Sequence, residues 1–417
     1  MKLIHTSDWH LGHSLYNYDR SEEQQAFLDQ LRDIVAREEP DVLLICGDIY
    51  HTTTPSSATQ KMYTEGLLAI HQACPTTQIV VTAGNHDSCA KLEIDRSLWQ
   101  HFNVTVIGNI ARKADRSTDW EQHILEVTDP TGNVIGYIGA VPHVYPHNFP
   151  SENRTLNREE RQPAFFQGLL DHIQQKNRQQ LPVILTAHLA VSASDATDDE
   201  MKIIGGMDTI SPDELGNGYD YLALGHIHYP HLVRKEYPIM AYCGSPLAID
   251  FDEDYPHSVT VLEIQQHGEL PQLKTIEIQN PRPLTTLPQQ ASTLDEALLA
   301  LEQWPEQQKD YIRVHLKADR SITPDILDRI TTLLQDKQCR FCYVKIEKEA
   351  PADMQQRKEL SIEELKQKSP VEIAQMYYEE KEGEAMEQEL GQLMLEAWQE
   401  TTRDQEAPAD FSENNGL

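Results

Sequence analysis

Aspartate, asparagine and histidine recur in five short clusters of this chain: Asp8-Trp9-His10, Gly47-Asp48-Ile49-Tyr50-His51, Gly84-Asn85-His86-Asp87, Ala187-His188 and Gly225-His226-Ile227-His228. Carboxylate, amide and imidazole groups are oxygen and nitrogen donors, a mixture that suits Mn²⁺, Fe or Zn²⁺ rather than a thiolate site. The donors suffice for two ions. Asp8, His10, Asp48 and His228 can hold one, and Asp48, Asn85, His188 and His226 the other. Asp48 is the shared ligand because a carboxylate has two oxygens and a full charge. Ions about 3.5–4 Å apart clamp a phosphodiester, activate water and stabilise the leaving oxygen. His226 and His228 are two apart, so in a regular strand they point the same way and serve neighbouring ions. Glycines beside three of the clusters permit tight turns close to an ion.

Each cluster follows an apolar run of strand length: residues 3–6, 42–46, 79–82, 183–187 and 221–224. Short runs rich in Val, Ile and Leu, bounded by polar residues or glycine, read as buried strands. Between the first two, a helix is predicted from Glu22 to Arg37, capped by Ser21 with Gln24 three residues on, its apolar face formed by Phe27, Leu28, Leu31, Ile34 and Val35. Strands alternating with helices define a layered α/β domain, in which ligands gather where the chain leaves the carboxyl ends of the strands. Asn280-Pro281-Arg282-Pro283 marks a linker. A second, smaller α/β unit follows it: a helix near 293–304, an alternating strand 311–317, a helix starting at Thr323-Pro324-Asp325 and a strand 339–346. From Leu360 the chain reads as acidic helix, with apolar residues such as Leu365, Met376, Leu390, Leu393, Met394 and Trp398, and the tail beyond Arg403 has the composition of a disordered end.

With 417 residues and 39% hydrophobic content, two or three domains are expected. No apolar run reaches the roughly 18 residues of a membrane span, and the N-terminus does not read as a secretory signal. Six sparse cysteines fit free thiols in a reducing cytoplasm. The net charge of −32 speaks against unaided binding to nucleic acid, which needs a basic surface. Its distribution is uneven, with −20 over residues 1–280, −1 over 281–350 and −11 over 351–417.

The five clusters, in this order, resemble the calcineurin-like metallophosphoesterase family, whose pattern runs D-x-H, G-D, G-N-H-D, H and G-H-x-H. Longer stretches are similar to one branch, the SbcD-type nuclease subunits: Thr6-Ser7-Asp8-Trp9-His10-Leu11-Gly12, Ala83-Gly84-Asn85-His86-Asp87-Ser88, Ala223-Leu224-Gly225-His226-Ile227-His228 and Tyr242-Cys243-Gly244-Ser245-Pro246. The resemblance implies a β-sandwich flanked by helices, with a small α/β capping domain and a C-terminal helical extension. It implies the metal ligands given above, His86 as the group that protonates the leaving oxygen or stabilises charge on the phosphate, Asp87 orienting it, and His51 as a second active-site histidine. It further implies a Mn²⁺-dependent DNA nuclease, degrading duplex ends 3′ to 5′ and nicking single strands or hairpins. The expected boundaries are a nuclease domain over 1–280, a capping domain over 281–350 that places DNA, a helical segment over 351–402 that docks on an SbcC-type ATPase, and a tail over 403–417. A homodimer through the nuclease domain is also implied, giving two copies of each subunit.

Several features carry plainer readings. His71, His101, His123 and His172 read as structural. Cys339 and Cys342 lie on a strand, point to opposite faces and have no second pair, so they are not a zinc site. The stripe Arg313, His315, Lys317 is either a DNA-facing surface or the wet face of a half-buried strand. Met62, Tyr63, Leu67, Leu68, Leu92, Leu98 and Trp99 read as core, or as part of the dimer contact. Two rival functions remain: a phosphodiesterase for small or cyclic nucleotides, and a non-catalytic scaffold tethering an ATPase to DNA.

Overall fold

The computed structural model describes residues 1–145, 148–150, 156–157, 160–192, 209–317 and 323–347, with scattered residues between 372 and 394. The chain divides into two compact units, Met1–Lys348 and Glu349–Leu417. Most of the second unit, including most of the expected partner-binding helices and the whole tail, lies outside the described residues. Leu390, Leu393 and Met394 are described there, as exposed helical residues. Among the described residues, no helix is long and apolar enough to cross a membrane.

The first unit is built on two six-stranded sheets. One runs, in spatial order, Gln272–Glu277, Ser258–Glu263, Lys2–Thr6, Val42–Cys46, Gln78–Thr82 and Val104–Ile107, with its last four strands parallel. The other runs His231–Arg234, Ile239–Tyr242, Tyr221–Gly225, Val183–His188, Val134–Ala140 and Ile124–Thr128, with its central four parallel. The sheets pack face to face on Leu3, Val42, Leu44 and Val80 from one and Ile138, Ile184, Tyr221 and Ala223 from the other. Helices Ser21–Glu38 and Ser57–Ala73 cover the outer face of the first sheet, and Arg161–Lys176 that of the second. The result is the layered α/β sandwich that the sequence pattern predicts. Strands buried on both faces explain why their sequences are continuously apolar.

Pairing register sets the strand ends level. Thr6 pairs with Ile45, Cys46 with Thr82, and Gly225 with His188. All five clusters therefore leave the sandwich at one rim.

The predicted cap at Ser21 is not formed. Arg20 is the N-cap residue, and it makes no side-chain capping bond. Gln24 turns to the neighbouring loop instead. Its Oε1 accepts from the Gly12 N–H, and its Nε2 donates to the carbonyls of His10 and His13. A glutamine that satisfies three loop groups does more here than a local cap.

The small α/β unit has three parallel strands, Leu284–Ser292, Tyr311–Lys317 and Arg340–Glu347, with helices Leu294–Gln303 and Pro324–Leu334 as crossovers. Thr293 and Glu296 form a full capping box on the first helix. Strand alternation sends Ile312, Val314 and Leu316 into this unit's own core. The opposite face is not a wet one. Arg313 is buried, its Nη1 donates to Asp252 Oδ1 at 2.7 Å, and its guanidinium lies 5.2 Å from the Phe251 ring centroid. His315 faces Glu347 at 3.5 Å. The stripe is thus neither wet surface nor open DNA face at its first position, because Arg313 is spent on the joint between the small unit and the sandwich.

That joint holds a buried polar network. Tyr311 Oη donates to Glu23 Oε1 at 2.7 Å and accepts from Arg340 Nη1 at 2.8 Å, while Arg282 Nε lies 3.6 Å from the same carboxylate oxygen. Glu23 and Tyr311 are fully buried, so each polar group depends on its partners. Tyr311→Phe is expected to lower unfolding stability by about 1–3 kcal/mol through the groups left unpaired. The check is the urea midpoint at constant m-value; an unmoved midpoint would show that the network contributes nothing to stability.

Candidate metal centre

The five loops are held together by the residues they carry. The backbone N–H of Asp8 donates to Gly47 O and that of His10 to Asp48 O, each at 3.0 Å. The Asp8 carboxylate accepts from the His226 N–H at 3.1 Å. His188 Nδ1 donates to Cys46 O at 2.9 Å. Asp87 accepts from three N–H groups, those of Ile49, Tyr50 and Gly84, at 3.1, 2.9 and 2.8 Å.

This local structure is strained. Asp8, His10 and Asp48 have φ of 53°, 46° and 51°, and His226 has φ of 104°. Left-handed backbone at non-glycine residues costs on the order of 1–3 kcal/mol each and persists only where the surroundings enforce it. Gly84 is required for space: a Cβ there would lie 2.0 Å from Asp48 Oδ1. The same holds at Gly47, where a Cβ would fall 2.1 Å from His188 Nδ1.

The donor atoms converge as two groups. His10 Nε2 lies 3.1 Å from His228 Nε2, and Asp8 completes a cluster with these two rings. Asn85 Oδ1 lies 3.0 Å from His188 Nε2 and 2.9 Å from His226 Nδ1. Asp48 Oδ2 stands between the groups, 3.7 Å from His10 Nε2 and 3.5 Å from His188 Nε2. Asp8 also clusters with Asp48 and His188, so it faces both groups rather than one.

The chemistry of this arrangement suits cations. Ligand bonds of about 2.1 Å at right angles place neighbouring donors about 3 Å apart, close to the spacings seen here. The tautomers agree. His188 gives its Nδ1 proton to Cys46 O, which leaves Nε2 facing the oxygens of Asn85 and Asp48. His228 gives its Nδ1 proton to Glu253 Oε1 at 2.7 Å, which leaves Nε2 facing His10. At each of these positions a cation can take the place of the proton that the ring nitrogen otherwise carries. Asp8 and Asp48 are 1% and 2% exposed, and among the described residues neither is paired with a lysine or arginine. Two buried carboxylates without a permanent counter-charge are costly to hold.

The titration of these groups reports the same field. Burial opposes the charge on Asp48, yet His188, His10 and the His86 N–H outweigh it and hold this carboxyl below its ordinary range. Burial likewise disfavours a charged His188, but Asp48 and Asp8 raise its pKa to about 9. Burial raises Asp8. A pocket that attracts a proton this strongly attracts a divalent cation by the same charges.

All seven expected metal ligands meet at this rim. His226 and His228 do not share a regular strand, contrary to expectation, since the strand ends at Gly225 and His226 adopts φ of 104°. The two rings nonetheless join different donor groups. His86 stands beside the centre, with its N–H on Asp48 Oδ1 at 2.9 Å and its Nδ1 donating to His51 O at 2.9 Å. Asp87 does not orient His86, contrary to expectation, because both its oxygens are taken by the loop backbone; the His51 carbonyl orients the ring instead. The His51 ring stacks at 5.6 Å from His86.

Sequence reasoning missed three groups. Glu253 fixes the His228 ring, His13 lies 4.6 Å from His51 by ring centroids, and His143 donates from Nδ1 to His188 O at 3.0 Å. None sits in a spaced motif, so no signal in the sequence marked them. His143 also borders a cavity of about 660 Å³ that opens beside Asn85, Asp87 and Tyr145. His123, read as structural, is fully buried, with both ring nitrogens bonded to backbone. Tyr63, Leu67, Leu92 and Trp99 are core, whereas Leu98 is 57% exposed.

Residues 1–230 match the calcineurin-like phosphoesterase family, and the chain belongs to it. Residues 280–382 match a second family, described as the type 5 capsule protein repressor C-terminal domain. The chain is similar to the SbcD component of the SbcCD nuclease of Escherichia coli K12, at 29% identity over 88% of this chain and 91% of the relative. It is similar to the corresponding SbcCD nuclease component of Rhodobacter capsulatus at 29% identity (78% and 82% covered) and to that of Bacillus subtilis at 28% (95% and 97% covered). Among solved structures, a dimetal phosphatase from Danio rerio aligns at 11% identity and a TM-score of 0.39, over 67% of this chain and 99% of that one.

Because Asp48 Oδ2 faces both donor groups and Asn85 only one, their variants are expected to differ. Asp48→Ala should weaken binding of Mn²⁺, used as probe, at both sites, and Asn85→Ala at one. Calorimetric titration measures the stoichiometry; identical losses in the two variants would contradict the shared role of Asp48.

Proposed function

We propose that this protein is the nuclease subunit of an SbcC–SbcD-type complex, a Mn²⁺-dependent phosphodiesterase acting on DNA with two cations in one site. The observation that carries this reading is the convergence of two donor groups on one oxygen of Asp48. The extensive similarity to relatives named as nuclease subunits supports DNA as substrate. The finer activities follow the same reading: 3′-to-5′ exonuclease on duplex ends, endonuclease on single strands and hairpins, and a role in DNA end processing in the cytoplasm.

When bound, the two cations supply Lewis-acid charge to the phosphate oxygens and activate the attacking water. The protein's part is to place and complete them. Asp8, His10, Asp48 and His228 would hold one cation, and Asp48, Asn85, His188 and His226 the other. His86 is bound through Nδ1 to the His51 carbonyl, which leaves its Nε2 to protonate the leaving oxygen. His51 supports it by that carbonyl and by ring stacking. Asp87 keeps the second and third loops in register, so its contribution is to positioning. The small α/β unit caps the site and seats the DNA, the segment 351–402 docks on the ATPase, and the sandwich forms the homodimer contact.

The purified chain, given Mn²⁺, is expected to cleave duplex DNA, and turnover of a cyclic nucleotide alone would replace the nuclease reading with the small-substrate one. His86→Ala should lower cleavage by about 10²–10⁴-fold, the usual worth of a general acid, while Mn²⁺ binding stays intact. Full activity in that variant would assign the proton to another group, and loss of metal binding would make His86 a ligand. Because the chain is strongly acidic, its DNA affinity alone is expected to be weak and to rise on adding the ATPase. Filter binding at increasing salt measures this; tight, salt-sensitive binding by the chain alone contradicts it.

A further inference from the structure

The loop between the strands Ile239–Tyr242 and Ser258–Glu263 touches two distant parts of the molecule through three consecutive residues. Phe251 is buried with Leu15 and Tyr311 in the joint, beneath the Arg313 guanidinium at 5.2 Å and 5.8 Å from the Tyr343 ring. Asp252 Oδ1 accepts from Arg313 Nη1 at 2.7 Å and lies 3.5 Å from Lys345 Nζ. Tyr311, Arg313, Tyr343 and Lys345 all belong to strands of the small α/β unit. Glu253, the next residue, turns the other way. Its Oε1 accepts from His228 Nδ1 at 2.7 Å, and its Oε2 accepts from the Ile249 N–H at 3.0 Å.

The turn that carries these residues is closed on itself. The Glu253 N–H donates to Asp250 O at 3.2 Å, and the Asp252 N–H to Asp250 Oδ1 at 3.1 Å. Arg20 Nη1 anchors its start by donating to Ala248 O at 2.7 Å. A closed turn moves as a body, so a shift of the small unit's central strand carries Glu253 with it. The His228 ring must follow or lose its bond. A carboxylate on the far nitrogen of a ligating imidazole fixes both its tautomer and its angle, and removing such a partner typically costs 10- to 100-fold in metal affinity.

We propose that Glu253 is a positioning residue for the His10–His228 donor group, and that Phe251 and Asp252 make its position depend on the seating of the small α/β unit. This rests on the reading of His228 as a metal ligand. The position of that unit thereby sets how well one of the two cation sites is formed, through contacts of the kind that change coupling by about 0.5–2 kcal/mol, or about 2- to 30-fold.

The test is titration of the full chain with Mn²⁺, followed by calorimetry, with thermal unfolding as the check on folding. Glu253→Ala is expected to weaken one of two binding steps by about 10–100-fold and spare the other. Glu253→Gln should recover part of that loss, because its amide oxygen still accepts from Nδ1–H. Arg313→Ala and Asp252→Ala touch no donor atom, yet each should weaken the same step by about 2–30-fold. The Asp252 side chain is 71% exposed, so its removal leaves the fold intact. Unchanged binding in Glu253→Ala overturns the positioning role, and equal weakening of both steps in that variant reduces it to a general structural effect. Parent-like binding in Arg313→Ala and Asp252→Ala, with loss in Glu253→Ala, overturns the link to the small unit. A parent chain that binds no Mn²⁺ overturns the metal centre itself, a separate failure.

Discussion

Two buried carboxylates, Asp8 and Asp48, stand at the meeting point of five loops among imidazoles, an amide, backbone N–H groups and the Ser7 hydroxyl, and among the described residues no lysine or arginine pairs with them. In a medium of low dielectric, such a pair is tolerable only when positive charge is brought to it. The rest of the structure can be understood as what keeps these charges from relaxing away. Left-handed backbone at Asp8, His10 and Asp48 and the φ of 104° at His226 hold the donors inward, and each strained residue is tied by bonds to a neighbouring loop.

The sandwich makes this possible because the centre draws on both sheets. Asp8, His10, Asp48 and Asn85 follow strands of one sheet, and His188 and His226 those of the other. The relative placement of the sheets therefore decides the width of the site. Buried contacts between them are correspondingly specific. His5 Nδ1 accepts from Tyr221 Oη at 3.0 Å while its Nε2 donates to Leu224 O, and burial holds the ring neutral with a pKa lowered to about 3. Thr186 Oγ1 donates to Cys46 Sγ at 2.9 Å immediately behind the donors. Rearranging the sheets would break these bonds and pull the two donor groups apart.

The strands and the donor set were legible in the sequence because both follow simple rules. A strand buried on both faces must be apolar throughout, and a ligand must sit where a chain leaves the sheet; residues 42–46 followed by Asp48 satisfy both. What escaped depends on tertiary placement. Gln24 has the spacing of a capping residue but finds three better partners in the adjacent loop, and Asp87 has the look of a partner for His86 but is claimed by three backbone N–H groups. Glu253 follows His228 by 25 residues with no fixed spacing, so only the folded loop brings them together. Arg313 alternates as a surface residue would, and nothing in its own strand reveals that the sandwich lies over it.

The fate of Arg313 bears on how an acidic chain could serve a polyanionic substrate. The segment 281–350 is the part of the sequence nearest to charge balance, which invites the idea that its basic residues face DNA. Several of them are already committed. Arg282 donates to the Gln338 carbonyl, Arg313 to Asp252, and Arg340 to the Asp19 carbonyl and Tyr311. A guanidinium held in the joint offers little to a phosphate, since Arg282 and Arg313 are themselves buried there and the exchange would break the bonds that seat the small unit. The small unit is thus better built to be held firmly against the sandwich than to attract DNA by charge. On the reading proposed above, the attraction would come from bound cations and from a partner's surface, while this unit would contribute shape and, through the loop at 251–253, the proposed link to the His228 ring.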